Sequence, residues 1–162
     1  LPDAIALKSL ETASTEFHAR YSAISRTYRY TLLNRATRAP LAERYALRVW
    51  PPSDERRMAE ALAGLMGEHD FRAFGSATHG EITIRRVMRA ACWRDGEYVI
   101  IEVEANGFLR GMMRRVAGML AKVGAGTLNL HDFGRTLAAR DPKAAKWKAA
   151  PQGLCLWEVK YE

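Results

Sequence analysis

The chain has 162 residues, 48% of them hydrophobic and 27% charged; this composition predicts a soluble globular protein, and the length fits one domain or one large half of a two-lobed protein. It contains no apolar run of about 18 residues, which excludes a membrane-spanning helix, and its two distant cysteines and four histidines show no metal-ligand spacing, so we expect no metal site. The net charge of +7 favours a polyanionic partner, although basic composition is also common in proteins that bind no nucleic acid.

The first part of the chain predicts three strands, at residues 5–10, 26–33 and 45–50. The clearest is 26–33, which is rich in Tyr, Thr and Leu, and in which alternation places Tyr28 and Tyr30 on one face. A buried tyrosine needs a partner for its hydroxyl, so one of the two is predicted to lie in the core and the other is a candidate site residue. Alternation alone does not distinguish them.

Residues 16–21 combine basic and aromatic side chains just before this strand. If the segment is extended, Phe17, Ala19 and Tyr21 point one way, and His18 and Arg20 point the other. Charges suit phosphates and rings suit bases, so the segment is a candidate nucleic-acid contact. An ordinary amphipathic strand with a polar outer face is the commoner explanation of such a pattern.

A helix and a loop are predicted next. Ser53 suits an N-cap, and the apolar stripe that follows it predicts an amphipathic helix closed by Gly67. Residues 68–83 show neither a helical nor a strand period, and they predict a loop with an exposed tip at 75–80, where binding residues tend to lie.

A hairpin and a second helix follow this loop. The β-branched and aromatic runs 84–93 and 98–104 flank an Asp-Gly pair that is typical of a hairpin turn. Helical spacing of apolar residues then predicts a helix with one inward face, formed by Met112, Val116, Leu120 and Val123. The start of this helix is cationic, which suits a phosphate or a carboxylate but also fits a solvated basic face; its basic residues are Arg110, Arg114 and Arg115.

The end of the chain predicts a third helix at 130–140, with Asn129 as its N-cap, and a last strand at 154–161. Strands outnumber helices and come in neighbouring groups. We therefore predict an α+β fold, a mixed or antiparallel sheet with helices packed on one face. No GxGxxG or P-loop pattern occurs, which argues against a doubly wound nucleotide-binding fold.

Several short motifs, each weak alone, occur in a specific order over essentially the whole chain. They are FHARYSA at 17–23, YRY at 28–30, GEHDF at 67–71, Arg85 at the start of a strand, Ala105-Asn106 with Phe108, Met113-Arg114 with Gly118, and Pro151-Gln152-Gly153-Leu154. In order and spacing this set resembles the tRNA pseudouridine synthase A family.

The resemblance implies an enzyme that isomerises uridine to pseudouridine in the anticodon stem-loop of tRNA, in the cytoplasm, without a metal or organic cofactor and usually as a homodimer. Matched residue by residue, Tyr28 stacks on the base and is the candidate for removing its C5 proton. Arg114 pairs with a nucleophilic aspartate, and Leu154 lines the base pocket. The residues that match tRNA-contacting surfaces are Phe17, His18, Ala19, Arg20, Tyr21, Thr78, His79, Gly80, Glu81 and Arg110.

The nucleophilic aspartate of the family lies in a GRTDAGVH-type segment that does not occur in these 162 residues. The resemblance therefore predicts that residues 1–162 are a single C-terminal domain without the N-terminal lobe, and that this chain is inactive alone. The alternatives are a stand-alone RNA-binding module that has lost the chemistry, and a purely structural basic domain whose RNA affinity depends little on Arg20.

Overall fold

The computed structural model describes residues 1–77 and 80–161. In these residues the strands are β1 (Ser25–Asn34), β2 (Leu47–Val49), β3 (Gly67–Asp70), β4 (Ile84–Asp95), β5 (Tyr98–Ala105) and β6 (Leu154–Lys160). The helices are α1 (Glu55–Ala63), α2 (Met112–Gly124) and α3 (Leu130–Ala138), and short 3₁₀ turns occupy Ala42–Arg44 and Pro151–Gly153. None of the described helices is long and apolar enough to cross a membrane.

The strands form one open, mixed sheet in the order β2-β1-β5-β4-β3, and β6 also pairs with β1. β1 is the central strand, because it pairs along its length with β5 on one edge. On its other edge it pairs with β6 over its first half and with β2 over its last three residues. All pairs are antiparallel except β1–β2. This arrangement confirms the predicted α+β fold with a mixed sheet.

The hydrophobic core lies between one face of this sheet and the three helices. The sheet contributes alternate residues of β1 and β5, such as Leu32 and Ile101, and both are fully buried. α1 contributes Met58 and Leu62, and α3 contributes Phe133. α2 buries most of its length, including all four apolar residues that its spacing predicted to face inward.

The opposite face of the sheet is polar and aromatic. Glu102 of β5 is buried there, and its carboxylate accepts from Arg29 at 2.5 Å and lies 3.3 Å from Arg89. The guanidinium of Arg29 also stacks on the ring of Trp157, 3.6 Å from its centroid. No described helix covers these residues, which agrees with the prediction that the helices pack on one face.

The strand predicted in the first 24 residues is wrong, because this stretch forms no strand. Residues 5–10 are exposed, and β5, β6 and β2 already occupy the edges of β1, so the alternating side chains have no strand to pair with there. Residues 16–21 are not extended either. His18 forms a turn instead, because its Nδ1 accepts the backbone N–H groups of Arg20 and Tyr21.

Some element boundaries also differ from the predictions. α1 is capped by Asp54, whose carboxylate accepts two N–H groups of the first turn, and not by Ser53, which is buried. α1 ends at Ala63, before the predicted Gly67. Gly67 instead begins β3, a short strand that pairs with β4 where a loop was predicted.

Candidate functional site

The two tyrosines of β1 lie in different environments. Tyr30 is fully buried, its hydroxyl donates to the Ala150 carbonyl at 2.6 Å, and burial raises its pKa to about 12. Tyr28, two residues earlier, is half-buried and meets the edge of the Phe108 ring, with centroids 4.7 Å apart. Tyr30 is therefore the core tyrosine, and Tyr28 is the one that a ligand can reach.

Tyr28 lines a cleft of about 650 Å³ at the end of the helix-bearing face of the sheet. The cleft is walled by residues 19–23, by the turn 106–108 and by side chains of β1, β4 and β6. The side chains that give it its chemistry are Arg20, Arg26, Arg85, Tyr28, Phe108 and Leu156, and none of the residues that line it is acidic. The cleft therefore combines three guanidinium groups with an accessible aromatic ring, which is the combination that suits an RNA strand.

The three arginines of the cleft differ in how many hydrogen bonds their guanidinium groups already donate within the protein. Arg85 donates to the Ile82 and Ile84 carbonyls at 3.1 and 2.6 Å, and burial lowers the pKa of its guanidinium. Arg26 donates to the backbone carbonyls of Ala23, Asn106 and Arg20. Arg20 is exposed and lies over the ring of its neighbour Tyr21, 5.7 Å from the centroid. Arg20 is therefore the arginine best placed to meet a phosphate.

Arg114 lies in the first turn of α2. Its Nε donates to the Ala149 carbonyl at 2.7 Å, and the Ala149 N–H donates back to the Arg114 carbonyl at 2.9 Å. Neither Arg20 nor Arg114 forms a salt bridge within the residues that the structure describes. The side chain of Arg114 is thus held at one nitrogen, while its terminal nitrogens have no carboxylate partner among those residues.

Leu154 and Arg114 come together around Tyr30. Leu154 is half-buried and pairs with Tyr30 across β1 and β6, while Leu156 pairs with Tyr28 one step along the ladder. The charge of Arg114 reaches the Tyr30 hydroxyl, where it opposes the effect of burial on the pKa. Neither Arg114 nor Leu154 lines the cleft, so they are its neighbours along the sheet and not part of its wall.

The first group of predicted RNA contacts is partly assembled at the cleft. Ala19, Arg20 and Tyr21 line it, whereas Phe17 and His18 do not. Phe17 packs against Tyr161 with ring centroids 5.0 Å apart, and the Tyr161 hydroxyl donates to the Ala19 carbonyl at 2.9 Å. Tyr161, near the end of the chain, therefore holds the segment 17–19 in place.

The second group of predicted RNA contacts consists of residues 78–81 of the predicted loop before β4, and of Arg110, which precedes α2. Gly80 and Glu81 are exposed, and Thr78 and His79 lie outside the described residues. Arg110 is exposed and pairs through its backbone with Ser76, since its N–H donates to the Ser76 carbonyl at 2.9 Å. The base of this loop is therefore fastened next to the start of α2.

Arg26 and Leu156 also line the cleft, although neither was predicted from the sequence as a site residue. Arg26 precedes Tyr28 by two residues on a strand, so alternation alone places the two on the same face. Leu156 lies two residues after Leu154 on β6 and could have been found in the same way.

Comparison with known sequences gives a consistent result. A family model described as tRNA pseudouridine synthase matches residues 61–162. The chain is 41% identical over 162 residues to tRNA pseudouridine synthase A of Geotalea uraniireducens, covering 99% of this chain and 66% of that protein. It is 42% identical over 164 residues to the protein of the same name from Gloeobacter violaceus, covering 99% of this chain and 54% of that protein. It is 39% identical over 163 residues to the protein of the same name from Acidiphilium cryptum, covering 99% of this chain and 64% of that protein. The chain thus spans less than two thirds of the length of these curated relatives.

Proposed function

Because the chain belongs to the tRNA pseudouridine synthase family, we propose that it is the part of such an isomerase that holds the target uridine and the surrounding anticodon stem-loop of tRNA. The observation that carries the proposal is the cleft, which presents Tyr28 among three arginines with no acidic side chain in its lining. A phosphate backbone is attracted to such a surface, and an exposed base can stack on the ring.

In the reaction, the bond from ribose C1′ to the base nitrogen breaks, the base turns over, and a bond from C1′ to C5 forms. The C5 proton is then lost and the freed nitrogen is protonated. We propose that Tyr28 stacks on the base during this turn and that its hydroxyl takes the C5 proton. The edge contact with Phe108 supports this role, because it holds the ring at one orientation beside the open cleft.

The nucleophilic carboxylate is proposed to come from outside these 162 residues. None of the six aspartates of the chain lines the cleft. Asp54 caps α1, and Asp70 accepts from the Thr83 hydroxyl at 2.6 Å, so both have structural partners. Arg114, whose terminal nitrogens are free of carboxylates among the described residues, is the proposed partner of the incoming nucleophile.

The first test of this function measures turnover. The chain alone should release no tritium from unmodified tRNA whose uridines are tritiated at C5, and turnover by the chain alone would contradict the proposal about the nucleophile. Adding the part of a curated relative that this chain does not match should restore release. RNA binding without any restoration would instead favour the alternative, a non-catalytic RNA-binding module.

The second test measures binding to an unmodified anticodon stem-loop over a range of salt concentrations. We expect log K to fall linearly with log salt, with a slope less steep by roughly 0.7–0.9 in Arg20→Ala, because one phosphate contact is lost. Arg38→Ala is the matched control, since Arg38 is an exposed arginine already paired with Glu43 at 2.9 Å and does not line the cleft. If the wild-type chain does not bind, these residues do not form the RNA surface and the proposed role is wrong.

The predicted homodimer, the cytoplasmic location and the extent of the domain stay predictions. Sedimentation of the chain at increasing concentration measures the first of them.

A further inference from the structure

One side chain connects the two loops that wall the cleft. Arg26 lies two residues before Tyr28 on β1, and its guanidinium is in contact with three backbone carbonyls. Its Nη1 donates to the Ala23 carbonyl at 3.1 Å and to the Asn106 carbonyl at 3.0 Å, and its Nη2 donates to the Arg20 carbonyl. The first and third carbonyls belong to the segment before β1, and the second belongs to the turn after β5.

Each of these loops carries a residue that the proposed function uses. Residues 19–23 carry Arg20, and the turn 106–108 carries Phe108, the ring against which Tyr28 packs. Residues 19–23 contain no helix or strand. Besides Arg26, a turn at His18 and the hydroxyl of Tyr161 hold their backbone, and neither of these bonds to the turn 106–108. A guanidinium that binds both loops at once therefore sets the distance between the two walls of the cleft.

We propose that Arg26 is a positioning residue, which holds the RNA-contacting segment 19–23 against the turn 106–108 so that Arg20 and the ring of Tyr28 face the same strand of RNA. The inference rests on the proposed function in taking RNA as the ligand of the cleft. The link between the two loops is observed directly and does not depend on that function. Arg26 acts through its neighbours, because three backbone carbonyls already occupy its two terminal nitrogens.

The chemistry of arginine explains why this position needs it. Guanidinium presents several N–H donors in a fixed plane, so one side chain can bind carbonyls on both sides of a gap. Lysine carries the same charge on a single nitrogen at the end of a flexible stem, and it cannot reproduce that planar fork. Arg26→Lys therefore removes the link between the loops while it keeps the charge of the cleft.

The test compares Arg26→Lys with the wild-type chain in two measurements. In hydrogen exchange followed by mass spectrometry, we expect peptides covering 19–23 and 106–108 to exchange about tenfold faster, and peptides of the central strands β1 and β5 to be unchanged. In stem-loop binding we expect a loss of about tenfold in affinity, with the same slope of log K against log salt, since no phosphate contact is removed. Arg38→Lys is the control and should change neither measurement.

Other results would contradict either the positioning role of Arg26 or the proposed function of the cleft. If Arg26→Lys lowers the salt slope as Arg20→Ala is expected to do, Arg26 contacts phosphate directly and the positioning role is wrong. If loop exchange and affinity both stay at the wild-type values, the link has no effect and the inference also fails. Faster exchange throughout β1 and β5 would assign Arg26 to the stability of the sheet and overturn the positioning role. If the wild-type chain binds no RNA, the proposed function fails, while exchange in the two loops still decides whether Arg26 holds them together.

Discussion

Replacing Gly118 by alanine is expected to destabilise the fold, although alanine is the better helix former. Gly118 lies in the middle of α2, and a Cβ there would lie 2.5 Å from the Trp147 carbonyl oxygen and 2.8 Å from the Ala149 nitrogen. Both distances are far inside the 3.4–4 Å of ordinary van der Waals contact. Because these neighbours are backbone atoms, the clash is relieved only if the segment 147–149 moves away from α2. The hydrogen bond from the Ala149 N–H to the Arg114 carbonyl would then weaken.

The magnitude follows from three opposing contributions. The higher helix propensity of alanine stabilises the variant by about 1 kcal/mol. Overpacking of a closed contact costs about 1–3 kcal/mol, and a weakened hydrogen bond costs about 1 kcal/mol. We therefore expect Gly118→Ala to lower the free energy of unfolding by about 2 kcal/mol. Gly134→Ala in α3 should raise it by about 0.5–1 kcal/mol, because nothing lies within 4 Å of a Cβ at Gly134.

Urea unfolding followed by far-UV circular dichroism measures both variants against the wild-type chain. The midpoints should move in opposite directions, with the dependence on urea unchanged. If both substitutions stabilise the chain, the segment 147–149 does not pack against Gly118 of α2. The hydrogen bonds between Arg114 and Ala149 would then be wrong as well. A change in the urea dependence itself would mean that the variants are not comparable two-state folders.

Three further predictions follow from buried and titrating groups. Tyr30→Phe should lower the free energy of unfolding by about 1–2 kcal/mol in urea titrations, because it removes a buried hydroxyl that donates to a backbone carbonyl. The hydrogen bond from Thr83 lowers the pKa of Asp70, so this carboxylate stabilises the fold above the pKa of about 4 that it has in the unfolded chain. That stability is lost as the pH falls through the lower, folded-state pKa, and Asp70→Asn should give a shallower acid dependence of stability. Iodoacetamide should label the exposed Cys155 at mildly alkaline pH but not Cys92, whose pKa burial raises to about 12, as read by mass spectrometry of the labelled peptides.

Each of these predictions has a result that would contradict it. Unchanged stability of Tyr30→Phe would show that the hydroxyl is not bonded in the folded chain. If the free energy of unfolding depends on pH in the same way in the wild-type chain and in Asp70→Asn, the hydrogen bond from Thr83 does not lower the pKa of Asp70 in the folded chain. Equal labelling of Cys92 and Cys155 without denaturant would show that the sheet does not shield the first thiol.

The elements that could be predicted from the sequence are those whose signal is local. The Asp95-Gly96 pair lies at the turn between β4 and β5, and Gly96 has the positive φ of 57° that such a turn uses. Asn129 caps α3 as predicted, since its side chain accepts the N–H of Asp132. In α2 the helical spacing of apolar residues matched the buried face, because a helix of this length buries its apolar stripe whatever the partner is.

The elements that were predicted wrongly depend on a partner far away in the chain. Gly67–Asp70 has no strand pattern of its own and becomes β3 only because β4 offers it an edge. Residues 5–10 alternate as a strand does, but no neighbouring strand in the described fold accepts them. Pairing across a sheet is a tertiary interaction, so neither result could be read from a short window of sequence.

The residue pattern was enough to predict the α+β class, most of the helices and strands, and a relation to the tRNA pseudouridine synthases. Which tyrosine is buried depends on packing between distant segments, because Tyr28 and Tyr30 share a face of β1 and differ in what packs on them. More than a hundred residues further along the chain than Tyr30, Ala150 accepts its hydroxyl and Gly153 lies against its ring, whereas Tyr28 lies beside the open cleft. The cleft itself is equally non-local, since its walls come from residues 19–23 and from the turn 106–108, and Arg26 donates to carbonyls of both.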